Sequence, residues 1–76
     1  MMTEWTPDAI RALRVERLGL SLFEFAELLF ANFTTVWRWE RGDMTPSPAY
    51  QRELARLAAR ANQDAKLDAA LSREAV

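Results

Sequence analysis

The chain has no cysteine and no histidine among its 76 residues, and only two glycines. Without cysteine there is no disulfide framework and no thiolate metal site. Without histidine the commonest general base and metal ligand are missing. Carboxylates alone could hold a hard cation, yet no stretch has the spacing of a calcium loop. No apolar run is long enough to span a bilayer, and the first residues lack the basic region and apolar core of a signal peptide. Strand alternation, internal repeats and low-complexity linkers are absent too. The expectation is one soluble, cytoplasmic, all-α domain that is not an enzyme, needs no cofactor and has no membrane partner.

Charge is nearly balanced, at −1 overall. That total speaks mildly against a nucleic-acid partner, whose binders usually carry a basic footprint. Its distribution says more. Arg11, Arg14 and Arg17, spaced by three, predict a basic ridge on a first helix, either solvated or clamping phosphates. Arg38 and Arg41 fall on a third. The acidic excess sits in the tail after Asn62, where Asp64, Asp68 and Glu74 outnumber Lys66 and Arg73.

Helix start and stop signals divide the chain into four helices. Thr6 caps the first, with Pro7 at the first helical position, Asp8 in the first turn and Trp5 able to staple onto Ile10; Gly19 ends it. Ser21 and Glu24 form a capping box for the second, expected over Leu22–Phe30, with Leu20 and Phe25 at staple spacing. Asn32 is placed to cap the third, Phe33–Arg41, with Ala31 and Val36 at the staple positions and Gly42 as its left-handed stop. Ser47 caps the fourth, with Pro48 at its first position, and no glycine or proline stops it afterwards. Leu54, Leu57, Ala58 and Ala61 form one apolar stripe on it, thinning to Ala65, Leu67 and Leu71. Residues 1–62 are expected to form the domain, with 63–76 as a helical extension or a frayed tail. Two short helices joined by so tight a link between Ser21 and Gly42 cannot lie side by side with both apolar faces buried. They must cross, as in a helix-turn-helix.

The residues that fill this crossing carry a resemblance. Phe25, Ala26, Leu29, Ala31, Val36 and Trp39, with WERG at 39–42 and PSP at 46–48, resemble the phage-repressor (Cro/C1-type, lambda-repressor-like) helix-turn-helix domain over about Thr6 to Leu57. The small Ala26 falls where that family lets the second motif helix approach closely. The resemblance implies a compact all-α fold of four helices. A fifth is usual in the family, but here there is no residue to make the break, which favours a long C-terminal helix. Glu40 in the family often pairs with an arginine of the first helix, and Arg14 is the matching one. Three positions depart from the pattern. Phe30 stands where the family has a turn glycine with positive φ, a conformation that costs a bulky residue about 1 kcal/mol or more. Leu22 replaces the glutamine that often opens the second helix. One extra residue lies between Arg14 and Gly19, which threatens the phase of the Arg14–Glu40 pair.

The family reads DNA with the N-terminal part of its second motif helix in the major groove. Carried over by position, the resemblance implies Phe33, Thr34 and Arg38 as base contacts. Arginine there would seek guanine O6 and N7, while Thr34 and Phe33 would meet thymine methyls. Leu22, Phe23, Thr35, Trp37 and Arg41 are the expected backbone contacts. The implied function is a transcriptional regulator, in the usual case a repressor, that binds double-stranded operator DNA as a homodimer. Leu57, Ala61, Leu67 and Leu71 on the fourth helix are the expected dimer seam. The alternative, from another class, is a protein-interaction module: an antitoxin-type domain or a regulator docking on a protein partner through Phe30, Phe33 and Trp37. An exposed aromatic cluster of that kind marks interaction sites.

Overall fold

The computed structural model describes the backbone of residues 5–74 and the side chains of residues 5–63. The described chain is all helix, in four elements. Helix α1 spans Pro7–Ala12 and continues as a π-helical segment, Leu13–Arg17. Helix α2 is Leu22–Leu28, α3 is Phe33–Arg41, and α4 is a single 27-residue helix, Pro48–Glu74. Helix α4 runs unbroken to Glu74, so no separate fifth helix is set off within the described residues.

Local chemistry accounts for the boundaries. The Thr6 hydroxyl accepts from the Ala9 N–H at 3.1 Å. At α2 the capping box closes reciprocally: Ser21 Oγ accepts from the Glu24 N–H at 3.1 Å, and Glu24 Oε1 accepts from the Ser21 N–H at 3.0 Å. Asn32 occupies the N-cap of α3, but its side chain makes no capping bond. Its carbonyl accepts from Thr35 at 3.0 Å, and capping by the amide, expected from sequence, does not occur. At α4, Ser47 Oγ accepts a longer bond, 3.5 Å, from the Tyr50 N–H.

Helix α2 stops earlier than its apolar pattern suggests. Phe30 follows its last turn at φ 54 and is the one non-glycine residue with positive φ among those described. The Phe30 N–H donates to the Glu27 carbonyl and the Ala31 N–H to the Ala26 carbonyl, at 3.1 and 2.9 Å. These are the two bonds of a Schellman ending, which satisfies the last carbonyls through a left-handed residue. Gly42 ends α3 with the same pair of bonds, Gly42 to Trp39 and Asp43 to Arg38, at φ 84. A phenylalanine therefore does in one turn what glycine does in the other.

The π segment has its own hydrogen-bond pattern. Leu18 donates to the carbonyl of Leu13, five residues back, and Leu20 to that of Arg14, six back. Each turn of a π-helix holds more residues than an α-turn, so a residue beyond the α-helical count is accommodated within the segment.

Eight buried side chains form the core: Ile10 and Leu13 from α1, Phe25, Ala26 and Leu29 from α2, Val36 and Trp39 from α3, and Leu54 from α4. Trp39 meets Tyr50 edge to face with ring centroids 5.0 Å apart, tying α3 to the start of α4. Leu57 and Ala58 pack against the core as half-buried neighbours. No helix among the described residues is long and apolar enough to cross a membrane.

Candidate nucleic-acid interface

Helix α3 is fixed on one side and open on the other. Val36 and Trp39 point into the core, while Phe33, Thr34, Trp37, Arg38 and Arg41 are exposed. The 3.6-residue period puts these two sets on opposite arcs. Thr35 is half-buried, at the boundary between them.

An ion pair sets the position of this helix. Arg14 Nε donates to Glu40 Oε2 at 2.7 Å and its Nη2 to Oε1 at 2.9 Å, a bidentate bridge between largely buried side chains. The remaining guanidinium nitrogen, Nη1, donates to the Leu20 carbonyl at 3.1 Å. One residue thus braces α3, the π segment and the α1–α2 link together. Hydrogen bonding to Glu40 raises the pKa of Arg14 above its already high value, so the arginine end stays charged. The expected pair forms in phase.

Two contacts on the open arc had not been expected. Phe23 of α2 stacks on Phe33 of α3, ring centroids 4.5 Å apart and planes tilted by 33°. The Arg41 guanidinium lies over the Trp37 ring, 4.4 Å from its centroid, and Arg41 Nε is 3.6 Å from Asp43 Oδ2. Cation–π contact of this kind holds a side chain that would otherwise sweep freely. The four-residue spacing of Trp37 and Arg41 could have suggested it. No sequence spacing could have paired Phe23 with Phe33. Arg38 is the less encumbered of the two arginines, with only a weak 4.0 Å contact from Nη1 to Met44 Sδ.

Other expected site residues are distributed less simply. Leu22 is half-buried and packs against the core. Beside it, the Glu24 N–H donates to Ser21 Oγ, and Glu24 Oε1 accepts from the Ser21 N–H. The arginine ridge on α1 is broken up. Arg14 is committed to Glu40, Arg17 Nη2 reaches the Ala58 carbonyl at 3.4 Å, and Arg11 is exposed. For the expected dimer seam, Leu57 and Ala61 are half-buried within their own chain, lining a shallow groove of about 260 Å³ with Leu18, Leu28 and Arg60. The side chains of Leu67 and Leu71 lie outside the described residues.

Comparison of the chain with protein-family models, with curated proteins and with solved structures finds no match in any of the three.

Proposed function

We propose that this chain is a sequence-specific, DNA-binding transcriptional regulator, non-enzymatic and cytoplasmic, that occupies operator DNA as a homodimer, ordinarily to repress. What carries the reading is the mounting of α3. A helix braced from behind by Val36, Trp39 and the Arg14–Glu40 bridge presents Phe33, Thr34, Trp37 and Arg38 outward on one arc. The major groove, about 12 Å wide, admits one such helix. Arg38 is the base reader, seeking guanine, and Phe33 and Thr34 meet thymine methyl groups. Arg41, Thr35 and Phe23 stand at the flanks for backbone contact. One short helix covers few base pairs, so two copies on half-sites about one turn apart supply the specificity.

A second reading rests on the aromatic surface. Phe30 is 95% exposed, and Phe33 and Trp37 more than 40%. A face of that kind suits a protein partner, because aromatic residues and arginine are enriched at such interfaces. Salt separates the two readings. Phosphate-driven binding weakens steeply as salt rises, whereas aromatic contacts change little. Capture of genomic DNA fragments by the purified chain, repeated at rising salt, tests the first reading. Recovery of one recurrent duplex sequence with steep salt dependence supports it, and recovery of none sets it aside in favour of the second.

A further inference from the structure

The α2–α3 face carries apolar surface and charge of both signs in an arrangement that fits its own copy. Phe30, Phe23, Phe33 and Trp37 are 95, 64, 44 and 41% exposed. At 150–250 Å² for a whole aromatic side chain, they leave roughly 500 Å² of ring surface open. A stable protein interface takes about 800 Å² from each partner. The aromatic cluster supplies most of that, and exposed Met44, in contact with Arg38, extends it. Phe23, Phe33 and Trp37 are continuous, since Phe23 stacks on Phe33 and Trp37 follows Phe33 by one helical turn; Phe30 stands at the end of α2 in the same α2–α3 turn.

Charge decides between occupants. The α2 side of the face bears Glu24 and Glu27, and Glu27 lies one turn beyond Phe23. The α3 side bears Arg38 and Arg41, with Arg41 seated on Trp37. An isologous interface must be complementary to itself. A two-fold axis lying in the plane of the face, between α2 and α3, sets each copy's glutamates opposite the other's arginines, with the aromatic rings at the centre. A uniformly acidic or basic protein laid across both helices would leave one half of this rim against like charge.

We infer that two copies pair through their α2–α3 faces, burying Phe23, Phe30, Phe33 and Trp37 and masking the outer arc of α3. The masking of DNA rests on the function proposed above; the pairing itself does not. On that function, self-association and operator binding exclude each other, and the free chain holds its reading helix covered until DNA competes for it.

Sedimentation equilibrium on the full chain, over a wide concentration range, tests the pairing. A reversible dimer is expected. Phe23→Asp and Phe30→Gly are each expected to weaken it about tenfold or more, as loss of a central aromatic anchor does. Phe30→Gly serves as the folding control, since glycine suits the left-handed turn. Glu27→Arg should weaken the dimer, and adding Arg41→Glu in the same chain should restore it. Leu67→Ser with Leu71→Ser should leave it unchanged. A chain that is monomeric at every concentration overturns the inference, and so does a dimer that survives the aromatic changes but is lost with the leucines. Pairing through the aromatics in a chain that captures no DNA supports this inference and defeats the DNA-binding reading instead.

Discussion

Arg14, in the π-helical turn of α1, and Glu40, near the end of α3, lie 26 residues apart in sequence and are joined by two parallel hydrogen bonds of 2.7 and 2.9 Å. Both side chains are mostly sheltered from water. Removing one member leaves the other charge partly buried without its partner, which costs more than the intact pair contributes. Glu40→Ala is therefore expected to destabilise the domain by roughly 1.5–3 kcal/mol. Replacing both residues by apolar ones, as in Arg14→Met with Glu40→Leu, should recover much of that loss. Urea unfolding of the wild type and these two variants checks it, and equal loss in the single and double variants would show that the bridge is not a coupled unit.

The left-handed phenylalanine gives a prediction of opposite sign. Phe30 is held at φ 54 while its ring is almost wholly in solvent. Phe30→Gly thus removes backbone strain and forfeits little packing, and should stabilise the fold by roughly 0.5–1 kcal/mol or more. For a domain of this size that is about 4–8 °C in Tm per kcal/mol. Melts should be run dilute, so that self-association does not contribute. A lower melting temperature would mean that the ring makes a stabilising contact within the single chain.

On DNA, the two arginines of α3 should behave differently. Arg38 stands on the outer arc with only a sulfur contact, whereas Arg41 is already held by Trp37 and Asp43 near the helix end. Arg38→Ala is expected to weaken specific binding and relax preference at one base pair, by about 1–3 kcal/mol. Arg41→Ala should weaken all sequences alike and make the salt dependence shallower by about one unit of slope. Binding to specific and random duplexes across a salt series distinguishes them. Equal losses on both duplexes for Arg38→Ala would remove it from base reading.

Acid should undo the cap of α2. The Glu24 carboxyl is held below the usual glutamate range, first by the bond from the Ser21 N–H and then by the Ser21 hydroxyl. A folded-state pKa below the unfolded one means a contribution present above the unfolded pKa and lost as pH falls through the folded one. Melting curves of the wild type and Glu24→Gln should differ at neutral pH and converge below the usual glutamate range. A constant gap down to strong acid would show that the charge of Glu24 does not support the helix start.

Truncation after Asn62 addresses α4. Among the described residues the last of the core is Leu54, with Leu57 and Ala58 packed against it, and the shortened chain is expected to keep its fold and most of its stability. Operator binding as a dimer should fall if α4 carries the DNA-bound seam. Solution mass in the presence of operator is the measurement, and an unchanged dimer with unchanged affinity would assign that seam elsewhere.

Sequence alone determined the four helix starts, because caps, prolines and staples act within a few residues of the chain. It also settled which arc of α3 is buried, since Val36 and Trp39 against Phe33 and Trp37 is a matter of helical period. The resemblance marks Phe30 as standing at a turn position that favours glycine, and the structure gives it φ 54.

Tertiary structure decided what depends on contacts between distant residues. Whether Arg14 could meet Glu40 turned on where the extra residue before Gly19 would be stored. The structure places a π-helical turn at Leu13–Arg17 and brings Arg14 into a bridge with Glu40, a contact across the sequence that no local signal fixes. The stacking of Phe23 on Phe33 and the splitting of the α1 arginines arise in the same way, from faces brought together by burial of the core. Local signals fix where helices begin because their partners are near in sequence. Which surfaces meet is decided by the joint packing of all four helices, which no single segment encodes.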